Sequence, residues 1–354
     1  MLEDLYDKIS KNIRITREDA LRLYDDADLL SLGTIANRIR HIKHDDNIVT
    51  FVIDRNINYT DICVSGCRFC AFYKKSEEDG GYWITEDEIA KKIEETNALG
   101  GTQILLQGGM HPDKRLDDYI KLLEFIKSNY DIHIHGFSPP EIFYLAEKEN
   151  ITVKELISVL KDAGLGSIPG GGAEILVNEI RAKVSPNKCN ADQWLNVMED
   201  AHNLGLRTTA TMMFGHIESR EDIIEHLLRI REVQDRTGGF TAFIPWTFQP
   251  SNTKIPAKTA TAAEYLRVLA ISRIFLDNFE NIQASWVTQG AKIAQTALFF
   301  GANDLGSTMI EENVVAAADV RFRMPMEEMI RLIQAAEFEA VQRDCFYNHL
   351  RKFD

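Results

Sequence analysis

The chain has 354 residues, of which 45% are hydrophobic and 27% are charged. This composition excludes a disordered or low-complexity chain, and the length suffices for one large domain or two ordinary ones. The formal net charge of −14, from 54 acidic and 40 basic residues, argues against nucleic acid and anionic membrane as partners.

The N-terminal residues lack a basic segment followed by an apolar core, which argues against a secretory signal. No stretch offers the run of about 18 uncharged apolar residues that a membrane-spanning helix needs. Five cysteines form an odd set, and without an export signal they argue against a disulfide framework. The sequence therefore predicts a protein of the reducing cytoplasm.

Secondary-structure patterns divide the chain into three parts. Residues 1–47 predict an amphipathic helical extension, with a capping box at Thr16–Asp19. A first strand over 48–53 is followed by strands predicted over 102–107, 131–137, 167–169, 207–214, 240–248, 282–287 and 304–307. Helical patterns lie between these strands, and a last helix is predicted over 326–345 within a C-terminal helical extension, residues 311–354.

Eight strands separated by helices predict an α/β fold with a parallel sheet. Their spacing favours a closed (β/α)8 TIM-type barrel over residues 48–310. An open doubly wound sheet is the alternative, but it would place its glycine-rich turn after the first strand. The glycine runs of this chain follow later strands.

Three of the five cysteines, Cys63, Cys67 and Cys70, lie within eight residues directly after the first strand. Cysteine thiolates are the usual ligands of iron–sulfur clusters, and three of them leave one iron of a four-iron cluster open to a small molecule. An iron–sulfur electron carrier would need a fourth cysteine. A zinc-stabilised binding protein would need a fourth ligand from Cys189 or Cys345, and neither belongs to a second close pair.

The run Cys-x3-Cys-x2-Cys, with the aromatic Phe69 before its last cysteine, resembles the motif of the radical S-adenosylmethionine (SAM) superfamily. This resemblance implies that the three cysteines hold a [4Fe–4S] cluster whose open iron binds the amino and carboxylate groups of SAM. It also implies that reduction cleaves SAM to methionine and a 5′-deoxyadenosyl radical. Spacing alone indicates only a soft-metal site with three ligands.

Glycine-rich turns follow the second and fourth strands, and glycine lets a ligand approach the backbone closely. The structural alternatives are a plain strand-to-helix turn and, for Glu174, a favourable charge at a helix N-terminus. The resemblance implies that the first turn holds the SAM amino group and that Glu174 binds the SAM ribose. The predicted cofactor contacts are Phe69, Gln107, Gly108, Gly109, Ser138, Gly171, Gly172, Glu174 and Arg181.

Polar residues at the carboxyl ends of barrel strands are the candidates for catalysis. Alternation in the third strand points His133 and His135 into the barrel, with His135 nearer the active end. We interpret His133 as a hydrogen-bonded interior residue. The candidates for a catalytic base are His135, His216 and Glu311.

Aromatic, amide and hydroxyl side chains at the later strand ends predict a pocket for a substrate with a ring and several hydroxyls. For Trp246 the alternative is that it only fills the barrel. The substrate contacts predicted here are Trp246, Gln249, Thr288, Gln289 and Asn303.

Longer stretches, over about residues 48–320, resemble the menaquinone branch of the radical SAM enzymes. The run Gly136–Glu141 resembles the cyclases that act on dehypoxanthine futalosine, whose sisters are the aminofutalosine synthases and the deazaflavin-precursor (FO) synthase subunits. The resemblance implies that hydrogen leaves C4′ of the substrate ribose and that the carbon radical adds to the benzoate ring. It also implies a reducing partner such as flavodoxin or ferredoxin.

Overall fold

The computed structural model describes residues 2–44 and 47–353. Three helices open the chain: α1 (Glu3–Ser10), α2 (Arg17–Asp26) and α3 (Leu29–Lys43). The predicted capping box is present, since the Thr16 side chain accepts from the Asp19 N–H (3.2 Å) and the Asp19 carboxylate accepts from the Thr16 N–H (3.1 Å). Helices α2 and α3 pack on one side of the barrel that follows.

Strands and helices then alternate along the chain. The strands are β1 (Ile48–Val52), β2 (Asp54–Asn58), β3 (Gln103–Gln107), β4 (His133–Gly136), β5 (Ser167–Ile168), β6 (Arg207–Phe214), β7 (Phe240–Thr247), β8 (Asn281–Ile282), β9 (Asp304–Ser307), β10 (Glu339–Arg343) and β11 (His349–Phe353). The remaining helices are α4 (Glu86–Ala98), α5 (Leu116–Asn129), α6 (Pro139–Glu149), α7 (Val153–Ala163), α8 (Asn178–Val184), α9 (Ala191–Asn203), α10 (Arg220–Thr237), α11 (Ala262–Phe275), α12 (Trp286–Ala297) and α13 (Met326–Ala335). Short 3-10 turns lie at Glu77–Asp79, Leu298–Phe300 and Ala316–Ala318.

Parallel pairing joins β2 through β8 in chain order into one sheet. The ring closes through β9, because Gln283 after β8 pairs with Asp304 and β9 pairs in parallel with β1. Strands β1 and β2 are separated only by Ile53 and together take one strand position in the barrel, so that β1 pairs with β9 while β2 pairs with β3. The predicted (β/α)8 barrel is confirmed, and the carboxyl ends of its strands define the end where a site forms.

Side chains alternate along the barrel strands between the barrel interior and the surrounding layer of helices. In β3, Ile104 and Leu106 are fully buried beneath the helices, whereas Gln103, Leu105 and Gln107 line the interior. In β2 the interior positions are Asp54 and Asn56. A period of two along a strand produces this division, and here it gives the barrel a polar interior.

The C-terminal extension differs from its prediction. The helix predicted over 326–345 ends at Ala335, and the chain turns at Glu337 (φ +64°) into the antiparallel hairpin of β10 and β11. Strand β10 pairs in parallel with β1, which explains why tertiary pairing overrides the helical pattern. The residues after β10 close the amino end of the barrel, where the Cys345 sulfur lies 3.2 Å from the Ser167 hydroxyl.

Across the described ranges, every helix is too short or too polar to cross a membrane.

Candidate active site

The segment that follows β2 folds over the carboxyl end of the barrel and carries the three clustered cysteines. Its backbone is tied to the loop after β3, because the Gly109 N–H donates to the Thr60 carbonyl at 3.0 Å. The Ser65 hydroxyl lies 3.1 Å from the Cys63 sulfur and 3.2 Å from the Cys67 sulfur. The loop therefore gathers its thiols at the end of the barrel where active sites form.

Burial shapes the chemistry of these thiols. It raises the pKa of Cys67 to about 11, and it also raises the pKa of Cys70. Both groups are therefore protonated near neutral pH when no metal is bound. A bound metal ion removes the proton, because a coordinating thiol binds as the thiolate.

The three thiols fit a cubane cluster better than a single metal ion. Over residues 2–44 and 47–353, no three His, Cys, Asp or Glu side chains are arranged to hold one metal ion. A cubane cluster differs because each cysteine binds a separate iron, so the thiols need only surround the cluster. The spare cysteines lie elsewhere: Cys345 contacts Ser167 at the amino end, and the Cys189 sulfur lies 3.9 Å from the Arg181 guanidinium.

The loop after β3 packs directly on the cysteine loop. A Cβ added to Gly109 would lie 2.1 Å from the Ile62 carbonyl oxygen, and one added to Gly108 would lie 2.6 Å from the Tyr59 ring. The Gly108 N–H donates to the Glu141 carboxylate at 3.0 Å. The two glycines therefore serve close approach between protein segments, and they bring this backbone beside Cys63.

Glu141 is a carboxylate that sequence reasoning did not single out. It accepts hydrogen bonds from the hydroxyls of Tyr59 and Ser138 and from the Gly108 N–H. Burial raises its pKa to about 7, although these three donors oppose the shift. The predicted cofactor contact Ser138 thus connects to Gly108 through Glu141. The sequence did hold a signal for Glu141, because it is the last residue of the run Gly136–Glu141 that carries the family resemblance.

The glycine run after β5 is also closely packed. A Cβ on Gly171 would lie 2.5 Å from the Gln107 amide nitrogen, and one on Gly172 would lie 2.5 Å from the Pro140 ring. Gly172 also has a φ of +70°, which favours glycine. Gly171 and Gln107 both line the barrel cavity described below, so the two predicted cofactor loops meet at this point.

Glu174 lies buried between two cations rather than as a free carboxylate. Its oxygens lie 3.1 Å from Arg181 and 3.2 Å from Lys188. Arg181 also donates to the carbonyl oxygens of Gly172 and Ala173, at 3.0 and 2.7 Å, so it holds the glycine loop from beneath. Lys188, which sequence reasoning missed, has its ammonium group 5.0 Å from the centre of the Phe69 ring.

A cavity of about 280 Å³ occupies the barrel interior below these loops. Five of the predicted site residues line it: Gln107, His135, Gly171, Trp246 and Thr288. Trp246 and Phe69 also pack against the same small apolar cluster, so the cysteine loop and the cavity share a wall. The lining combines apolar and aromatic groups with a few polar ones, which is typical of small-molecule sites.

Of the three predicted bases, His135 lines this cavity, whereas His216 and Glu311 do not. Its Nδ1 lies 2.6 Å from the Ser167 hydroxyl, which is also 2.7 Å from Nε2 of His133. Burial lowers the pKa of His135 to about 3, so the ring is neutral at physiological pH. His133 contacts Ser167 as the interior residue that the alternation predicts.

The other two predicted bases are turned away from the cavity. The His216 ring is buried against Phe248, with Nδ1 3.0 Å from the Glu218 carboxylate. Glu311 forms an ion pair with Lys92 and lies outside the cavity wall.

Glu312, the residue after Glu311, lines the cavity instead. The Glu312 carboxylate accepts from the Asn56 amide at 2.9 Å and from the N–H groups of Val314 and Val315 at 2.7 and 2.9 Å. Burial raises its pKa. The stretch after β9 is irregular, so the sequence offered no period that separates Glu311 from Glu312.

The predicted substrate contacts divide into two groups. Gln249 and Gln289 both donate to the Thr247 hydroxyl, at 3.1 and 2.6 Å, and so they support the rim of the cavity rather than line it. Asn303 precedes β9 and therefore lies at the amino end of the barrel. There its side chain accepts from Arg273 at 2.7 Å and donates to Asn281 at 2.8 Å, away from the carboxyl-end site.

Several polar side chains of the cavity wall were not predicted. Asp54 accepts from the Gln103 amide at 2.8 Å, and burial raises its pKa. Arg343, from the C-terminal hairpin, lines the cavity and forms a buried pair with Asp304 (2.6 Å). The polar residues on one face of β2 signal Asp54, and the polar ends of β3 signal Gln103, whereas nothing local signals Arg343.

Comparisons with known proteins agree with this geometry. Residues 57–230 match the Radical SAM superfamily, and residues 237–353 match the CofH/MqnC C-terminal region. A cyclic dehypoxanthine futalosine synthase of Halalkalibacterium halodurans is 44% identical, over 100% of this chain and 96% of that protein. A 5-amino-6-(D-ribitylamino)uracil–L-tyrosine 4-hydroxyphenyl transferase of Methanococcoides burtonii is 41% identical, over 95% of this chain and 96% of that protein.

Among solved structures, the FeFe-hydrogenase maturase HydG from Carboxydothermus hydrogenoformans has the same fold. The TM-score is 0.77 at 15% identity, over 98% of this chain and 80% of that chain. At this identity the likeness concerns the fold alone. The match to the superfamily and the two full-length relatives show that the chain belongs to the radical SAM superfamily. Within it, the chain belongs to the family of the cyclic dehypoxanthine futalosine synthases and their 4-hydroxyphenyl transferase relatives.

Proposed function

We propose that this protein cyclises dehypoxanthine futalosine to cyclic dehypoxanthine futalosine in menaquinone biosynthesis. The observation that carries the proposal is a three-cysteine loop at the carboxyl end of a barrel whose interior holds a partly polar cavity, in a chain 44% identical throughout to a synthase of that name. We further propose that it works in the cytoplasm with flavodoxin or ferredoxin as its electron donor.

In this proposal Cys63, Cys67 and Cys70 each bind one iron of a [4Fe–4S] cluster. The fourth iron would bind SAM, and the chemistry that this pair would supply on reduction is a 5′-deoxyadenosyl radical able to remove hydrogen from the substrate. The backbone of Gln107–Gly109 and the Ser138 hydroxyl lie beside the cysteine loop, and Glu141 fixes both, which suits them to hold the polar end of SAM. Gly171 faces the same space, and Glu174 with Lys188 provides charge at its edge.

The cavity holds the substrate so that its ribose C4′ lies toward the cysteine loop and its benzoate ring lies against Trp246. This orientation lets the carbon radical meet the ring without leaving the site, because the barrel wall encloses both groups. Thr288 offers a hydroxyl to the substrate, while Gln249 and Gln289 keep Thr247 in position. The closed end formed by the C-terminal hairpin keeps water away from the radical.

After the new C–C bond forms, the ring must lose one proton and one electron to become aromatic again. The cluster held by the three cysteines, left oxidised by SAM cleavage, would be the acceptor of that electron. Two cavity groups are candidates for the proton acceptor, His135 and Glu312. We favour Glu312, because burial raises the pKa of its carboxylate and so makes it a stronger proton acceptor, whereas burial lowers the pKa of His135 to about 3. His216 and Glu311 do not line the cavity, which argues against them.

One alternative rests on a specific observation, the 41% identity to the 4-hydroxyphenyl transferase. A third possibility is the aminofutalosine synthase reaction of the sister family. The test is an anaerobic assay of reconstituted enzyme with SAM, reductant and each of three substrate sets: dehypoxanthine futalosine, the chorismate-derived enol ether, and tyrosine with the ribityl uracil. Turnover of the first alone supports the proposal, and turnover of either other set with no reaction of the first contradicts it.

The metal assignment has a separate test that needs no substrate. Replacing Cys63, Cys67 or Cys70 by serine should remove bound iron and sulfide and abolish SAM cleavage. Replacing Cys189 by serine is the matched control for Cys67, since both thiols are buried but Cys189 lies outside the loop. Full iron content in the Cys67→Ser variant would show that the ligand assignment is wrong, whatever the substrate.

A further inference from the structure

The outer side of the cysteine loop carries three exposed cations, Arg68, Lys183 and Lys254, which we call the basic rim. They are held together by the loop itself. The Lys254 N–H donates to the Arg68 carbonyl at 2.7 Å, and the Arg68 guanidinium lies 3.5 Å from the carbonyl oxygens of Lys183 and Lys254. Since Arg68 lies between Cys67 and Cys70, the rim directly borders the cysteines.

The charges of the basic rim are not neutralised by the protein. Nearby, Arg181 and Lys188 both pair with Glu174. In contrast, within the part of the chain that the structure describes, no carboxylate lies within ion-pair distance of the three rim side chains; the Lys254 ammonium group lies 3.2 Å from the Tyr73 hydroxyl instead. The nearest carboxylates along these segments are Glu179, one helical turn before Lys183 on α8, and the 3-10 turn Glu77–Asp79 beyond Tyr73; none of them forms an ion pair with a rim side chain in the described structure.

This local charge is opposite to that of the whole chain, which has a formal net charge of −14. An acidic protein is repelled by most of such a surface and is attracted at the rim, so the encounter is oriented toward the cysteines. A basic protein would be drawn to the rest of the surface and away from them. Val64, 42% exposed within the same loop, adds an apolar contact of the kind found at the centre of interfaces.

We propose that the basic rim is the docking surface for an acidic one-electron carrier protein. The inference rests on the proposed function, because that chemistry needs one electron delivered to a group held by the cysteine loop. Electron transfer slows steeply with distance, and the rim brings a donor next to the cysteine loop, because Arg68 lies between Cys67 and Cys70. The occupant is a carrier whose acidic face surrounds its redox centre.

Lys183→Glu is the variant that tests this inference most cleanly, because the described structure gives its side chain no hydrogen bond or ion pair that folding would lose. Lys254→Glu is the second variant, and Lys91→Glu, at an exposed site of α4, is the control that changes the net charge by the same amount. Each holoenzyme is titrated with flavodoxin, and separately with ferredoxin, by calorimetry at low and at physiological ionic strength. Turnover is then driven by the reduced carrier or by dithionite.

The expected result is that each rim variant weakens carrier binding by about tenfold at low salt and that added salt removes most of this difference. Carrier-driven turnover falls in parallel, while dithionite-driven turnover and iron content stay within about twofold of wild type. The control variant binds as wild type does. Equal binding by wild type and both rim variants would overturn the inference. Failure of turnover with dithionite in the wild type would instead refute the proposed function, and the calorimetry would still decide the docking surface.

Discussion

Gly109 is the point where the loop after β3 presses on the cysteine loop, and Gly109→Ala tests whether this contact sets the cluster geometry. An added Cβ would lie 2.1 Å from the Ile62 carbonyl oxygen and 2.8 Å from the Cys63 Cβ. Non-bonded heavy atoms rest at about 3.5 Å, so the two loops must separate by roughly 1 Å. The backbone of Gly109 is outside the left-handed region, so the effect is steric alone.

A displacement of about 1 Å at a reacting geometry can cost about 100-fold in rate. We therefore expect Gly109→Ala to lower the rate of SAM cleavage by about 100-fold and to reduce the iron and sulfide retained after anaerobic reconstitution. Overpacking of this kind also costs about 1–3 kcal/mol of stability. The assays are iron and sulfide content, SAM cleavage measured as 5′-deoxyadenosine, and thermal unfolding of the same preparations.

Gly80→Ala is the control, since Gly80 follows the same loop and has a φ of +80° but meets no atom within 4 Å of an added Cβ. It carries backbone strain without a clash, so it should keep its iron and its SAM cleavage. If Gly109→Ala retained wild-type iron content and cleaved SAM within about twofold of wild type, the claim that this contact positions Cys63 would be refuted.

Three further predictions concern buried charges. Glu312→Gln should keep SAM cleavage but lower the product formed per SAM cleaved by about 100-fold, whereas Glu311→Gln, whose carboxylate pairs with Lys92, should leave that ratio near wild type. Asp304→Asn should lower the free energy of unfolding in urea by about 3–5 kcal/mol, because it leaves Arg343 buried without its partner. Burial raises the pKa of Glu141 from 4.5 to about 7, so the folded state favours the protonated form, and stability relative to Glu141→Gln should fall by about 2–3 kcal/mol as pH rises between these values. A stability difference that is flat with pH, or that grows with pH, would contradict the assignment.

The cysteine spacing and the strand–helix alternation are local patterns, and for that reason the sequence predicted the barrel and the loop that covers it. In an irregular segment, the local sequence does not determine which side chain faces the cavity. Glu311 and Glu312 are adjacent, and only the fold of the stretch after β9 decides which one enters the cavity.

Pairing between strands that are distant in sequence explains other differences between the predicted and the observed structure. The residues of β10 have a helical pattern, but the edge of β1 pairs with them and brings Arg343 to the cavity. Asn303 was predicted as a substrate contact although it comes before the strand expected over 304–307, and a residue that precedes a barrel strand lies at the amino end. Asp54 and Gln103, in contrast, could have been predicted, since Asp54, Asn56 and Asn58 share one face of β2 and Gln103 shares one face of β3 with Gln107.

The central claim is that this chain removes hydrogen from C4′ of dehypoxanthine futalosine and joins that carbon to the benzoate ring. The most direct measurement uses substrate deuterated at C4′, with reconstituted enzyme, SAM and dithionite, and reads both products by mass spectrometry. We expect deuterium in 5′-deoxyadenosine, together with a cyclic product lighter than the substrate by that deuterium and one hydrogen. Unlabelled 5′-deoxyadenosine alongside the cyclic product, or SAM cleavage with no cyclic product at all, would contradict the central claim.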